Sequence, residues 1–242
     1  MPKKHTLFGE KRFKRISSRG VFTRPKLMLA GRLKGKIVKQ YHGLVASQER
    51  ARLTRLIDSY QKKLAQIGIT VLPTEIKFGI SLKNGKSQLK LIQPLVPEKA
   101  ILLNYLKTCN GNEALLALEK TLEALDKIKK FNSKGETKIG IDATLSNLAI
   151  INGKITLIDI YPAFLKNAEE ITTNEILDRV GQRSARILKF ILPKNAYTFA
   201  EKRINQRLNA QYMQKRITLK FQKLRPELKP EFIKIMNKWL EN

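Results

Sequence analysis

Apolar residues recur at helical spacing over residues 47–66, which is the clearest periodic segment of the chain. Its apolar side chains fall on one face of a helix: Leu53, Leu56, Ile57, Tyr60 and Leu64. Ser47 is a suitable N-cap, because its hydroxyl can accept a hydrogen bond from the first turn. Gly68 stands just beyond the last periodic residue, where a glycine commonly ends a helix. The pattern predicts a helix from Ser47 to about Gln66.

Two Asn-Gly dipeptides, Asn84-Gly85 and Asn152-Gly153, each stand between two apolar-rich runs. Asn-Gly readily supplies the positive φ angles of a tight two-residue turn, so each pair predicts a β-hairpin. The runs around the second pair are Leu148–Ile151 and Ile155–Ile158. Earlier, between Gly20 and Tyr41, loosely alternating apolar residues predict two or three short strands.

Further helices are predicted where apolar residues again recur every three or four positions. Asn112 is the expected cap of the predicted helix that begins at Glu113. Their predicted ranges are Glu98–Thr108, Glu113–Lys130, Glu175–Ile191, Thr198–Lys220 and Pro230–Leu240.

The net charge of +28 is concentrated at the two ends of the chain. Residues 1–60 carry a net +13, residues 61–180 only +4, and residues 181–242 carry +11. Such ends favour polyanionic partners, including nucleic acids. A Lys-rich proteome would produce the same excess, and both interpretations stay open. A single cysteine, Cys109, argues against a disulfide framework, and we expect a cytoplasmic protein without a membrane span.

Three polar residues accompany the second predicted hairpin. Asp142 and Asn147 are five positions apart just before it, and Asp159 follows its second strand without any loop signal. Mg²⁺ in phosphoryl-transfer enzymes takes one or two protein oxygen ligands together with phosphate oxygens and water. Asp142, Asn147 and Asp159 could supply such protein oxygen ligands.

The segment resembles the protein-kinase-like superfamily, and within it the aminoglycoside and choline phosphotransferase branch. The family pattern is an Asp, four residues, an Asn, and then a hairpin ending in a second Asp. The resemblance implies that Asp142 is the catalytic base and that Asn147 and Asp159 hold Mg²⁺. The implied activity is transfer of the ATP γ-phosphate to a hydroxyl of an acceptor, most simply a small molecule, that the sequence does not identify.

The upstream order is also similar to that family and implies three nucleotide-binding residues. Lys39 ends the early strands, Glu49 lies on the helix after Ser47, and Gln93 stands in the connector that would face the adenine. Lys36 is an equally placed alternative to Lys39.

The implied fold is α+β and two-lobed, protein-kinase-like, with a small antiparallel-sheet N-lobe and a mainly helical C-lobe. The expected boundaries are a flexible basic arm at 1–18, the N-lobe at 19–97 and the C-lobe at 98–242.

Two other functions stay open. Gly140 stands where the family has a histidine, and no Gly-rich phosphate loop is present near Gly20. These departures suit a catalytically inactive pseudokinase that still binds nucleotide. The third hypothesis is a basic nucleic-acid-binding protein that needs no nucleotide, although the chain has no recognisable nucleic-acid-binding motif.

Overall fold

A computed structural model describes residues 13–15, 23–79, 85–160, 165–166, 202 and 205–241 of the 242-residue chain. Within these ranges the protein is α+β, with an antiparallel sheet and several helices. Its strands are β1 (Phe13–Arg15), β2 (Thr23–Met28), β3 (Lys36–Val45), β4 (Thr70–Val71), β5 (Glu75–Phe78), β6 (Ser87–Pro94), β7 (Lys138–Ile139), β8 (Leu148–Ile151), β9 (Lys154–Leu157) and β10 (Leu165–Lys166).

The α-helices lie between and after these strands. They are α1 (Ser47–Gln66), α2 (Leu102–Thr108), α3 (Gly111–Ser133), α4 (Ala210–Leu224) and α5 (Lys229–Glu241). None of the described helices is long and apolar enough to cross a membrane.

The chain divides into two compact units whose boundary does not follow the order of the sequence. The first unit comprises Met1–Arg52 and Pro73–Leu95, and the second comprises Leu53–Leu72 and Val96–Asn242. The chain therefore leaves the first unit within α1 and returns to it after β4.

The first unit is built on a five-stranded sheet in the order β1-β2-β3-β6-β5, with every neighbouring pair antiparallel. The register pairs Ile37 with Gln93 and Lys39 with Leu91. Because side chains alternate between the two faces of a strand, these four residues share one face. Ile37 and Leu91 are buried there, which makes this face part of the core of the unit.

Helix α1 has the predicted bounds, Ser47–Gln66, and buries the predicted stripe of side chains. Gly68 has a φ of +75°, as expected for the residue that stops the helix. The prediction that Ser47 caps the helix is wrong. Ser47 is already helical, and its hydroxyl donates instead to the Gly85 carbonyl at 2.6 Å.

The predicted hairpin around Asn152-Gly153 is confirmed in the second unit. β8 and β9 pair antiparallel, and both turn residues have positive φ, +50° and +71°. β4 extends this hairpin to three strands by pairing parallel with β9, where Thr70 faces Thr156. Of the other predicted turn, Asn84 lies outside the described residues, while β5 and β6 on either side of it pair antiparallel.

Helix α3 begins two residues earlier than predicted, and its cap is Asn110 rather than Asn112. The Asn110 side chain accepts from the Glu113 backbone N–H at 2.9 Å, and the Glu113 carboxylate accepts from the Asn110 N–H at 2.9 Å. This reciprocal pair satisfies two N–H groups that the first turn leaves free, so Asn112 lies inside the helix.

The predicted helix at Thr198–Lys220 is interrupted in the described part. Residues 205–208 are helical, Asn209 is extended, and α4 then begins at Ala210. The Asn209 side chain accepts from the Tyr212 N–H at 3.0 Å and so caps the new helix. α5 spans Lys229–Glu241, close to the predicted Pro230–Leu240, while the predicted helix at 175–191 lies outside the described residues.

Candidate functional site

The loop after β7 carries the first two residues of the predicted trio. The chain passes from β7 through Gly140 to Asp142 and closes a short 3₁₀ turn at Leu145–Asn147. Two backbone hydrogen bonds fix this loop: the Thr144 N–H donates to the Asp142 carbonyl at 2.7 Å, and the Asn147 N–H donates to the Thr144 carbonyl at 2.8 Å. The loop is thus a compact turn that holds Asp142 and Asn147 on adjacent backbone.

Asn147 links all three residues of the trio. Its side-chain amide Nδ2 donates to the Asp142 carbonyl at 3.3 Å. Its own carbonyl accepts from the Ile158 N–H at 2.9 Å, directly before Asp159. Asp159 is half-buried between two buried isoleucines, Ile158 and Ile160. The structure therefore brings the backbone of Asp142, Asn147 and Asp159 together at one place of the second unit.

The Asp142 carboxylate is held by an arginine that the sequence analysis did not identify. Arg207 Nε lies 2.9 Å from Asp142 Oδ1, and the Arg207 side chain is only 2% exposed. The N–H is not aligned with Oδ1 as a hydrogen bond requires, so the contact is an ion pair. Asp142 is 24% exposed although Oδ1 itself is buried, so the exposed part of the side chain lies away from Arg207.

A glycine makes the approach of Arg207 possible. A Cβ atom on Gly140 would lie 2.2 Å from the Arg207 carbonyl oxygen and 2.6 Å from its carbonyl carbon. The Asn132 side chain holds the same two segments together. Its Nδ2 donates to the Leu208 carbonyl at 3.1 Å and to the Ile139 carbonyl at 2.8 Å. Gly140, the departure from the kinase-like pattern, was the one sequence signal that another segment lies against this loop.

Helix α4 carries two more cations near this loop, and one of them interacts with Asp142. Arg216 and Lys220 are one helical turn apart on α4, and both are partly buried. Burial, and then the charge of Arg216, lower the pKa of Lys220; Asp142 opposes this shift and Arg207 adds to it. Two of these positive charges, those of Arg207 and Lys220, therefore act on Asp142.

The predicted nucleotide-binding residues lie in the first unit. Lys39 is half-buried on the same sheet face as Gln93, whereas Lys36, an odd number of positions away, is on the opposite face. Gln93 is only 2% exposed, and its Nε2 donates to Thr74 Oγ1 at 2.7 Å. Glu49 is exposed in the first turn of α1 and forms no ion pair with Lys39, within the part of the chain that the structure describes.

The trio supplies oxygen atoms of the kind that Mg²⁺ takes together with phosphate oxygens, but too few for a metal held by the protein alone. Across the described ranges, no group of three or more His, Cys, Asp or Glu residues could hold a metal ion. The trio supplies the Asp159 carboxylate and the Asn147 amide. Since Asn147 Nδ2 is occupied by the Asp142 carbonyl, its oxygen is the atom left for a cation. Mg²⁺ bound through phosphates needs no more than such a pair.

Comparison with known proteins assigns a family but no activity. A family model described as "Family of unknown function (DUF6206)" matches residues 8–238. No curated protein matches the chain.

Proposed function

The chain belongs to the DUF6206 family, and we propose that it is an ATP-dependent phosphotransferase of kinase-like type. The observation that carries the proposal is the double link made by Asn147, which joins the Asp142 backbone to the strand end before Asp159. A base and two magnesium ligands have to lie side by side for phosphoryl transfer, because catalysis of this reaction is mainly positioning and charge stabilisation.

The order of elements in the first unit supports the same proposal. Three antiparallel strands are followed by α1, and β5 and β6 then complete the sheet beside β3. A helix placed between the third and the later strands is the order that the resemblance to kinase-like small lobes implies. Lys39 would contact the nucleotide phosphates, and its place on the face of Gln93 favours it over Lys36.

In this proposal Asp142 accepts the proton of the acceptor hydroxyl through Oδ2. Its Oδ1 is buried against Arg207, so the pair fixes the orientation of the carboxylate and leaves the second oxygen for the acceptor. The acceptor oxygen forms a bond to the γ-phosphorus while the bond to the β-bridging oxygen breaks, and ADP leaves. Asn147 and Asp159 would hold Mg²⁺, which when bound neutralises charge on the phosphates.

Nucleotide binding by the full chain tests this proposal. We expect ATP to bind in the presence of Mg²⁺ and Asp159→Ala to abolish that magnesium dependence, measured by calorimetry and by thermal shift. Asp58→Ala, which removes an exposed carboxylate of α1, is the matched control and should bind as the unmodified chain does. Mg²⁺ without ATP should bind weakly to both. Magnesium-dependent ATP binding that survives Asp159→Ala unchanged would remove the basis of the proposal.

A second candidate function is a nucleotide-binding module without turnover. The buried ion pair between Arg207 and Asp142 favours it, because this contact would restrain a base if it persisted during the reaction. Arg207→Gln separates the two possibilities. Release of ADP from ATP should fall if Arg207 orients the base, and should rise if Arg207 blocks it.

A further inference from the structure

The five-stranded sheet of the first unit has a second face, opposite the one that carries Lys39 and Gln93. Lys36 and Gln40 lie an odd number of positions from Lys39 along β3, so they are on this second face. Directly paired residues share a face, and the register thereby adds one lysine from each of β2, β6 and β5. We call this surface the basic sheet face and define it by four lysines: Lys26, Lys36, Lys77 and Lys90.

Two cross-strand pairs of this sheet bring like charges directly opposite each other. The register pairs Lys77 with Lys90, and it pairs Arg15 with Lys26. Like charges at directly opposite positions destabilise a sheet. Glu75 forms an ion pair with Lys77 at 2.8 Å, but both side chains are more than half exposed, so solvent screening leaves this pair little weight. The pattern therefore costs stability that a sheet with mixed charges would keep.

The rest of the first unit supplies few acids to compensate these lysines. Its two segments, residues 1–52 and 73–95, together contain 19 Lys and Arg residues and only three acidic residues, which gives a net charge of +16. The three acids are Glu10, Glu49 and Glu75. Such an excess opposes the compact state through self-repulsion, and a bound polyanion relieves it.

The other side chains of the basic sheet face favour a nucleic acid over a lipid surface. Val38 and Ile92, at the centre of the face, are buried, and among the described residues Leu44 is its single exposed large apolar side chain. Binding to a bilayer surface usually buries several apolar side chains in it. Gln40 and Gln88 instead add amides, joined by a hydrogen bond from Gln40 Nε2 to Gln88 Oε1. Lysines and amides are the groups that contact phosphate and sugar in nucleic-acid complexes.

We propose that the basic sheet face binds a nucleic acid through its phosphate backbone, without reading the base sequence. Lys36 and Lys77 are exposed and Lys90 is half-buried, so their ammonium groups can reach phosphates along one strand. Contacts to phosphate carry no sequence information. The inference goes beyond the proposed function and does not depend on it, because Lys39 lies on the opposite face of the sheet.

Fluorescence anisotropy of the full chain with a labelled single-stranded RNA and with a labelled duplex DNA tests the inference. The double variant Lys36→Gln/Lys90→Gln should weaken binding about tenfold or more and reduce the slope of log affinity against log salt by about 2 on duplex DNA. The matched control is Lys62→Gln/Lys107→Gln, which removes the same charge from exposed positions of α1 and α2. It should leave the slope unchanged. Lys36→Gln alone, at an exposed position, should lower the slope by about 1 and serves if the double variant does not fold.

Each outcome decides for or against the basic sheet face. Equal losses in the two double variants would show that net charge alone attracts the nucleic acid, and would overturn the inference. Failure of the unmodified chain to bind either probe at about 50 mM salt would overturn it as well. Sedimentation with vesicles that contain phosphatidylserine, together with no binding to RNA or DNA, would assign the face to a membrane surface instead. A preference for RNA or for DNA that the Lys36→Gln/Lys90→Gln variant loses would support the inference and identify the kind of nucleic acid.

Discussion

Replacing Gly140 by alanine should disrupt the close contact between the Gly140 backbone and the 205–208 segment, which places Arg207 against Asp142. The new methyl carbon would lie 2.2 Å from the Arg207 carbonyl oxygen and 3.0 Å from the Leu208 Cα. Both are backbone atoms, so no side-chain rotation relieves the contact. Ordinary non-bonded contacts are about 3.5 Å, so the 205–208 segment has to retreat by roughly 1 Å.

The cost follows from what that retreat disturbs. Forcing an extra methyl into a packed position costs about 1–3 kcal/mol. The hydrogen bond from Asn132 to the Leu208 carbonyl, 3.1 Å long, would be lost at about 1 kcal/mol more. The reduced freedom of the unfolded chain returns about 0.4–1 kcal/mol. We expect Gly140→Ala to lower the free energy of unfolding by about 2–3 kcal/mol.

Urea unfolding followed by circular dichroism measures this difference, provided that both proteins have the same m-value. Gly135→Ala is the matched control, because a Cβ atom at Gly135 would meet nothing within 4 Å. It should leave stability unchanged or raise it by up to about 1 kcal/mol. If Gly140→Ala is as stable as Gly135→Ala, the close approach of the two segments is not a feature of the protein.

Two further predictions concern the same region of the second unit. Tyr60→Phe should cost about 1–2 kcal/mol in unfolding experiments, because the buried Tyr60 hydroxyl donates to the Gly140 carbonyl at 2.6 Å. The same change at the more exposed Tyr212 should cost much less, and equal costs at both sites would contradict the reasoning. Lys220→Met should stabilise the protein at neutral pH: burial and Arg216 lower the pKa of Lys220 below its ordinary 10.5, so the charged form costs stability in the folded state. The unfolded chain holds more protons in the window between the lowered pKa and 10.5, so the wild type gains stability as pH rises through it. The advantage of Lys220→Met, measured by urea unfolding, should therefore shrink as pH approaches 10.5, and an advantage that is absent at neutral pH or grows with pH would count against this account.

Local patterns in the sequence were sufficient for the parts of the fold that depend on neighbouring residues. Helix α1 has the bounds that its apolar stripe and Gly68 predict, because a helix of this length buries one face whatever its partner is. The hairpin at Asn152-Gly153 likewise follows from the φ angles that its two turn residues adopt. The same hairpin predicted that Asp159 follows the second strand, and β9 ends two residues before it.

Other features depended on segments far apart in the chain and could not be predicted in this way. Arg207 reaches Asp142 across 65 positions, and its own helical neighbourhood gives no sign of that contact. The break at Asn209 was missed because apolar spacing continues through it, although an asparagine before a helical run is a good cap. The predicted hinge position of Gln93 likewise gave no sign of its hydrogen bond to Thr74.

The division of α1 between the two units has a consequence for synthesis of the protein. Residues 53–72 leave the ribosome in the middle of the first unit, yet they belong with residues 96–242. The first unit has all its described strands once Leu95 has emerged. Leu53, Ile57 and Leu64, which are buried in the folded protein, belong to the second unit, most of which is then still to be synthesised. We expect a nascent chain of that length to expose the apolar face of α1, and chaperones bind apolar surfaces of this kind. For the same reason, a gene cut between the codons for Arg52 and Leu53 encodes an incomplete first unit, because Pro73–Leu95 then lies on the other piece.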